Sequence, residues 1–351
     1  MRITRVETTV VAVPFVNKMK VLNDNLAKIP KVIMRIYTDE GIIGIAESYR
    51  GISEESILMQ AKKLIGKDPT EFNLQDPGFP KSLNHVFEQA ICDIIGKFLG
   101  VPVYELLGGA YRREVPVSAW SPYHGPKNPE KTAAIAELAA ELGYRVIKLK
   151  ARPWDIVETV EAIEEATGSD MGIICDPNTR FDQPFIAVKL ARKLEDHNIV
   201  CFEDPIPKKN LYWYVLLRQK IDIPIALHIQ GSEILSAIKM EACDMINTGG
   251  TMFEFKRNAA VAELAGIPVW HGSGNDLGIL EASYLHACAA TKNATLTSDI
   301  FGEFCRENDL LVDPIQIKDG LARVPEKSGL GVEIDNESLK RYSIGKTRVV
   351  S

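Results

Sequence analysis

The spacing of apolar residues changes along the chain and separates two kinds of structure. Residues 1–14 alternate apolar and polar positions, and the two segments of residues 1–50 on either side of a polar loop are rich in β-branched residues, which predicts strands with a hairpin turn at Asp39-Glu40-Gly41. Over residues 54–107, apolar residues recur every three or four positions, which predicts helices that end before Gly108. Strands followed by helices predict a first domain of the α+β class.

After residue 115, short apolar strands alternate with amphipathic helices through seven or eight units. Four consecutive strands end near residues 150, 176, 203 and 228, at intervals of 25–27 residues. A repeat of this length predicts a parallel β/α barrel, whereas a doubly wound open sheet would be expected to carry a GxGxxG motif after its first strand. We expect a first domain over 1–114, the barrel over 115–309, and a tail over 310–351 that packs back on the first domain.

Composition and charge limit the classes of partner. The chain of 351 residues has a net charge of −6, which offers no positive field for nucleic acid or an acidic membrane surface. Its six cysteines include no CxxC pair, which indicates reduced thiols. No N-terminal signal stands out, and no apolar run reaches about 18 residues. We therefore expect a soluble cytoplasmic protein.

Two lysines end the second barrel strand. Because side chains alternate along a strand, Lys148 and Lys150 share one face, which we interpret as the barrel lumen. Two buried lysines side by side are expected to lower each other's pKa, and a lysine with a lowered pKa can act as a base. An edge strand with solvated lysines is the alternative.

Acidic residues end the next two strands. Asp176 ends the third strand and Glu203 ends the fourth. Burying a carboxylate at such a position is costly unless a cation pairs with it, and Mg²⁺ is the natural occupant of a site of hard oxygen ligands. Helix capping by these acids is the alternative reading. Their coincidence with two lysines on three consecutive strands favours the metal site.

These strand ends, written KLK, DPN and FEDP, resemble those of the enolase superfamily in its mandelate racemase and muconate lactonizing branches. The segments GLARVPEKSGLGVEID and HVFEQAICDIIGKFLGVPVYELLGG are most similar to glucarate dehydratase and related acid-sugar dehydratases. The resemblance covers nearly the whole chain. It implies a modified TIM (β/α) barrel with an α+β capping domain, one essential Mg²⁺, and removal of a proton α to a carboxylate to give an enediolate.

The same resemblance implies roles for individual residues. Asp176 and Glu203 match the first two metal ligands, and Lys150 matches the base. Lys148 matches the lysine that lies near the substrate carboxylate, and Asn178 matches an active-site asparagine.

The fifth strand departs from the family pattern. It offers His228 where the resemblance implies a third metal ligand that is normally Asp or Glu. Imidazole is a poor partner for Mg²⁺ and suits transition metals better. Either His228 binds the ion, or two carboxylates hold it with water and substrate, or a softer metal is used.

The sixth and seventh strands depart as well. The sixth carries Asn247 and neither the Asp that would support a catalytic histidine nor a second lysine. On the seventh, His271 lies near the family's catalytic histidine, while an ungapped comparison with glucarate dehydratase places Ser273 there. Without an acidic partner, His271 is expected to act as an acid or a hydrogen-bond donor rather than as a strong base. Its alternative role is a hydrogen-bonded residue at the rim.

Substrate specificity is expected to come from the first domain. The long polar loop after Phe15, which contains Asn23, matches the family's mobile loop in position, although a merely solvated loop is the alternative. Tyr49 and Arg50 follow the predicted hairpin and are expected to face the barrel mouth. Amides and cations of this kind suit a hydroxylated acid better than an apolar one.

The sequence therefore predicts an acid-sugar dehydratase, a lyase that forms a 2-keto-3-deoxy acid. Lys150 would take the α proton, Mg²⁺ would hold the enediolate, and His271 would assist loss of the β-hydroxyl group. A racemase or epimerase of a carboxylate substrate is one alternative. A catalytically impaired homologue that only binds a ligand is the other. We expect a small-molecule carboxylate as substrate and a homo-oligomeric assembly.

Overall fold

The computed structural model describes residues 1–16, 30–126 and 128–351. The strands are β1 (Ile3–Val11), β2 (Lys31–Thr38), β3 (Ile43–Glu47), β4 (Glu114–Pro116), β5 (Ala119–Ser121), β6 (Val146–Lys150), β7 (Gly172–Asp176), β8 (Ile199–Glu203), β9 (Ile225–His228), β10 (Met245–Thr248), β11 (Val269–His271), β12 (Ile317–Lys318), β13 (Leu321–Arg323) and β14 (Arg348–Val350). The helices are α1 (Glu54–Ala61), α2 (Asn84–Leu99), α3 (Val103–Leu106), α4 (Pro129–Glu141), α5 (Ile156–Thr167), α6 (Pro184–Leu194), α7 (Leu211–Arg218), α8 (Ser232–Met240), α9 (Met252–Leu264), α10 (Gly278–Ala289) and α11 (Asn336–Tyr342).

The first sheet is antiparallel and has the order β14-β1-β2-β3. Strands β2 and β3 each bury four consecutive residues, so they are covered on both faces, and helix α2 covers one face with the buried side chains of Phe87, Ile91 and Ile94. Gly44 of β3 allows this close packing, because a Cβ atom there would overlap the carbonyl oxygen of Ala90 in α2. The last strand of the chain, β14, joins the same sheet as an edge strand beside β1.

The second sheet is parallel, and its strands follow one another in chain order from β5 to β11. Apolar side chains of its inner face, including those of Ile174, Cys201 and Trp270, form a small cluster of their own inside the ring. The segment at Ser298 closes the ring. It pairs in parallel with Val117, and the backbone N–H group of the next residue donates to the carbonyl oxygen of His271.

The parallel sheet with its helices and the antiparallel sheet covered by α2 together confirm a modified TIM barrel with a separate α+β capping domain. The boundaries near residues 114 and 309 stay a prediction, and strand β4 at the first boundary pairs with β13 of the tail. Across the described ranges, with gaps at 17–29 and 127, no helix is long and apolar enough to cross a membrane.

Carboxylates of the capping domain hold it over the carboxyl ends of the barrel strands. Glu88 of α2 accepts hydrogen bonds from the backbone N–H groups of Met252 (2.7 Å) and Phe253 (3.2 Å), at the start of α9. Glu47 of β3 accepts from Leu277 (2.8 Å) and Leu280 (3.0 Å), at the start of α10. The first N–H groups of a helix have no partner within the helix and attract negative charge, so these contacts fix the capping domain at the barrel mouth.

Candidate active site

Strand β6 directs its two lysines into the barrel. The sequence VIKLK alternates, so that Ile147 and Leu149 pack into the layer between strands and helices while Lys148 and Lys150 point inward. Lys148 is only 4% exposed, and Lys150 lies closer to the mouth. The solvated-lysine alternative is therefore excluded for Lys148.

Two buried carboxylates lie beside these lysines. Asp176 and Glu203 end β7 and β8, and each is 1% exposed. The Nζ atom of Lys148 lies 2.7 Å from Oε2 of Glu203 and 3.7 Å from Oδ2 of Asp176. Lys150 donates a hydrogen bond to Oδ2 of Asp176. The four residues named from the strand ends thus form one ion-paired cluster.

A third carboxylate belongs to this cluster and was missed in the sequence. Lys148 donates a hydrogen bond of 2.9 Å to Oδ2 of Asp299, which follows the segment that closes the barrel. The other oxygen, Oδ1, is buried and has no hydrogen-bond partner among the described residues. The eighth unit, TLTSD, also ends in an acidic residue, so the pattern that identifies Asp176 and Glu203 applies to Asp299 as well.

The charges of this cluster change the expected acid–base behaviour. Burial alone would lower the pKa of Lys148, but the carboxylates of Asp299, Glu203 and Asp176 outweigh burial and hold that pKa well above its ordinary value. The expectation that the lysine pair lowers the pKa of Lys148 is therefore wrong for this arrangement. Burial raises the pKa of Glu203 to about 7 against the opposing attraction of Lys148.

Asn178 and His228 border the cluster. The backbone N–H group of Asn178 donates to Oδ1 of Asp176 (2.9 Å), and its side-chain amide donates to Oδ2 (3.3 Å), which orients that carboxylate. The Nδ1 atom of His228 lies 3.8 Å from Oε1 of Glu203. Desolvation and the Lys148 ammonium lower the pKa of His228, so its imidazole is neutral at neutral pH and can serve as a ligand.

The donors of Asp176, Glu203 and His228 fit a divalent cation by their chemistry. They come from three consecutive strands, two of them are buried carboxylates, and the third is a neutral imidazole. The three buried carboxylates, counting Asp299, outnumber the two ammonium groups, which leaves negative charge for a cation. Among the described residues, no three His, Cys, Asp or Glu side chains are grouped in a geometry that could hold a metal ion. The Lys148 ammonium group lies between the carboxylates of Asp176 and Glu203.

His271 lies outside the cavity. Along β11, Trp270 faces the lumen, and His271 therefore faces the helix layer, where its ring stacks on Tyr284 (3.8 Å between ring centroids) and packs near Phe255 (4.7 Å). Its Nδ1 atom lies 2.6 Å from the carbonyl oxygen of Gly272. Because the side chain is 1% exposed and turned away from Lys150, the acid role expected for His271 does not fit this geometry.

The cavity at the barrel mouth has a volume of about 650 Å³ and contains the charged cluster. Ser273 and Arg50 line it, as expected from the sequence. Tyr49 instead ties the capping domain to the barrel, because its hydroxyl group donates to the carbonyl oxygen of Gly250 (2.8 Å) and its ring stacks on His85. Asn23 lies outside the described residues. The rest of the wall includes Trp120, Tyr123, Arg152, Asn275 and Phe301.

Comparisons with known proteins agree with this arrangement. Residues 4–108 match the family described as mandelate racemase / muconate lactonizing enzyme, N-terminal domain. Residues 131–338 match the enolase C-terminal domain-like family.

Individual relatives cover most of the chain. The N-succinyl-L-Arg/Lys racemase of Bacillus cereus is 27% identical over 370 residues, with 98% of both chains covered, and its crystal structure superposes with a TM-score of 0.85 over 100% of both chains at 25% identity. D-xylonate dehydratase of Haloferax volcanii is 28% identical over 357 residues, which cover 90% of this chain and 86% of the relative. Muconate lactonizing enzyme of Pseudomonas fluorescens has a TM-score of 0.84 at 26% identity, with 98% and 99% of the chains covered. These relatives catalyse different reactions on a common fold.

Proposed function

The chain belongs to the enolase superfamily, and from that premise we propose that it is a Mg²⁺-dependent lyase that dehydrates a sugar acid to a 2-keto-3-deoxy acid. The observation that carries this proposal is that, among the residues the structure describes, the basic groups of the barrel strands stand on one side of the cavity. Lys150 and Lys148 stand on β6. Across the ring, β10 carries Asn247, and His271 of β11 points away from the cavity.

One base suffices for dehydration but not for epimerisation in its usual two-base form. Inverting a carbon centre requires that a proton leave one face and that another arrive from the opposite face. Asn247 cannot supply that proton, and its amide group is already used, because it donates to Oε1 of Glu203 (2.8 Å). In dehydration, the same lysine can remove the α proton and deliver it to the departing hydroxyl group.

The side chains of the cluster have distinct tasks in this reaction. The ammonium group of Lys148, held by Asp299 and Glu203, binds the substrate carboxylate. Lys150 accepts the α proton, and the electron pair of the broken C–H bond moves toward the carboxylate. The pair then returns to form a carbon–carbon double bond as the β C–O bond breaks, and the proton on Lys150 leaves with the hydroxyl group as water. The enol that remains converts to the 2-keto form.

A divalent ion held by Asp176 and Glu203, with His228 as the third side chain, would supply positive charge against the substrate carboxylate. The orienting hydrogen bonds from Asn178 to Asp176 support this use of the carboxylate. Ser273 borders the same cavity and can donate a hydrogen bond to a substrate hydroxyl group.

Racemisation is the second candidate function, because the Bacillus cereus racemase matches this chain over 98% of its length. It predicts a different fate for the α proton. In D₂O, a racemase places deuterium at the α carbon of both stereoisomers, whereas the dehydratase consumes the acid and forms a keto product.

Proton NMR in D₂O with Mg²⁺ tests both candidates. The panel contains D-xylonate, D-galactonate and further sugar acids, together with N-succinyl-arginine and N-succinyl-lysine. We expect keto product from a sugar acid, and loss of both exchange and product in Lys150→Ala. The matched control is Lys239→Ala, an exposed lysine on α8, which should keep full turnover. Inversion of a succinylated amino acid without keto product would replace the proposal with the racemase.

A further inference from the structure

The guanidinium group of Arg152 lies in the cavity wall, and no acidic side chain that the structure describes is ion-paired with it. It stacks over the ring of Tyr123 at 4.7 Å from the ring centroid, and Nη1 donates to the carbonyl oxygen of Ala151 (2.6 Å). Among the side chains that the structure describes, which leave out those of residues 17–29, 127 and 303, no carboxylate forms an ion pair with it within 4.0 Å. A guanidinium group offers five N–H donors, so most of its donors are free for a ligand.

Neighbouring side chains fix the aromatic ring under this cation. The hydroxyl group of Tyr123 donates to Oδ2 of Asp155 (2.8 Å) and accepts from Nε1 of Trp154 (2.7 Å). Asp155 thereby accepts from Tyr123 and forms no ion pair with Arg152 within 4.0 Å, although its carboxylate still attracts the guanidinium charge from a greater distance. A cation held on a fixed aromatic surface loses little freedom when it binds an anion, which is the property of a built recognition site.

The lysines of the cavity are paired with carboxylates, whereas the two arginines that line it are not paired with any described carboxylate. The two lysines pair with Asp176, Glu203 and Asp299 at the base of the cavity. Arg50 and Arg152 line the same cavity, and for neither does the described part of the chain supply an ion pair. One substrate carboxylate at Lys148 would leave both arginines unmatched.

We propose that Arg152 is the centre of a second anion-binding subsite, supported by Arg50, and that the substrate is a sugar diacid. One carboxylate binds at Lys148, and the other forms paired hydrogen bonds with Arg152. The subsite rests on the geometry of the arginine, while the identity of the ligand as a sugar diacid rests on the proposed dehydratase function.

The test compares acids that differ only in the second carboxylate. Galactarate is paired with D-galactonate, and xylarate with D-xylonate, and dissociation constants are measured by calorimetry with Mg²⁺ present. Wild-type protein should bind the diacid more tightly. Arg152→Gln should weaken diacid binding roughly 10- to 100-fold, the value of a charge-assisted bidentate contact, and change monoacid binding by less than about twofold. Arg152→Lys should lie between the two.

Arg180→Gln is the matched control, because Arg180 is exposed, lies close enough to influence Arg152 electrostatically, and does not line the cavity. It removes the same charge and should leave the preference for diacids unchanged. Equal weakening of monoacid and diacid binding in Arg152→Gln would overturn the subsite. A wild-type protein that binds diacids no better than monoacids, or binds neither, would overturn it as well.

Turnover separates the two proposals. If diacids bind through Arg152 but show no Lys150-dependent loss of the α proton, the subsite holds and the dehydratase function fails. If monoacids are dehydrated through Lys150 and Arg152→Gln has no selective effect, the function holds and the subsite fails. Thermal unfolding of each variant checks that the fold is intact.

Discussion

The Nζ atom of Lys148 lies 2.9 Å from Oδ2 of Asp299, so the second strand of the barrel is ion-paired with the segment that closes the ring. This contact fixes the ammonium group at the base of the cavity. Because Asp299 and Glu203 flank the same ammonium group, its position is set from two sides.

Replacing Asp299 by Asn should impair catalysis more than folding. The variant keeps the size of the side chain but removes one of the charges that hold Lys148. We expect kcat/KM to fall about 10²- to 10³-fold, as for loss of one preorganised electrostatic group. Steady-state kinetics with the substrate found by screening measures the effect. The control is Asp313→Asn at an exposed position, and equal activity of both variants would show that Asp299 has no such role.

Changes at His228 and Asp176 should move Mg²⁺ affinity in opposite directions. His228→Asp replaces an imidazole by a carboxylate, which Mg²⁺ prefers, and should tighten binding by on the order of tenfold. Asp176→Asn removes a charged ligand and should weaken binding by at least as much. Calorimetric titration with MgCl₂ measures both constants without reference to activity. If neither substitution alters the affinity, the ion binds elsewhere.

Replacing His271 on the seventh strand by Phe should leave turnover nearly unchanged. The phenyl ring can keep the stacking against Tyr284. A tenfold loss in kcat requires a rise of about 1.4 kcal/mol in the activation free energy. Because His271 does not reach the cavity, we expect kcat to stay within about threefold of wild type. Loss of turnover in a folded variant would restore the acid role that the sequence suggested.

The same histidine should make folding stability depend on pH. Burial lowers its pKa from 6.5 to about 4, so the unfolded chain binds a proton at a higher pH than the folded protein does. Its contribution to stability is therefore present above pH 6.5 and is lost as the pH falls toward 4, by about 3 kcal/mol in total. Urea unfolding at pH 7 and pH 4.5 should show a smaller loss in His271→Phe than in wild type. Equal losses would contradict this assignment.

Lys31 should be essential to the junction between the capping domain and the barrel. Its ammonium group is buried between Glu47 of β3 (3.2 Å) and Asp276 of the loop after β11, to which it donates a hydrogen bond. Lys31→Met leaves two buried carboxylates without their cation and should cost about 3–5 kcal/mol of stability. Thermal unfolding measures the loss, with the exposed Lys67→Met as control. Similar melting temperatures for the two variants would disprove it.

Much of the fold and part of the site follow from local regularities in the sequence. The strand–helix period after residue 115 predicted the barrel, because each unit buries one strand and one helix face in the same way. Alternation within β6 predicted that Lys148 and Lys150 share the inner face. Acidic residues after buried strands identified Asp176 and Glu203, because an unpaired charge is too costly there.

Alternation along β11 also determines the direction in which His271 points. In VWH, the large apolar Trp270 fills the lumen, so its neighbour His271 has to point outward. Resemblance to a catalytic histidine drew attention to the residue type, but the face of the strand decides what a side chain can reach.

Only the tertiary structure decided which distant groups share the cavity. The sequence determined that two lysines and two acids end neighbouring strands. Asp299 reaches Lys148 only because the ring closes, and its charge, together with those of Glu203 and Asp176, reverses the pKa shift expected for a buried lysine pair. A pKa depends on every charge within a few ångströms, whatever its separation along the chain. The spacing of the strands in the sequence therefore identifies the charged residues, and the closing of the barrel determines their pKa values by bringing Asp299 to Lys148.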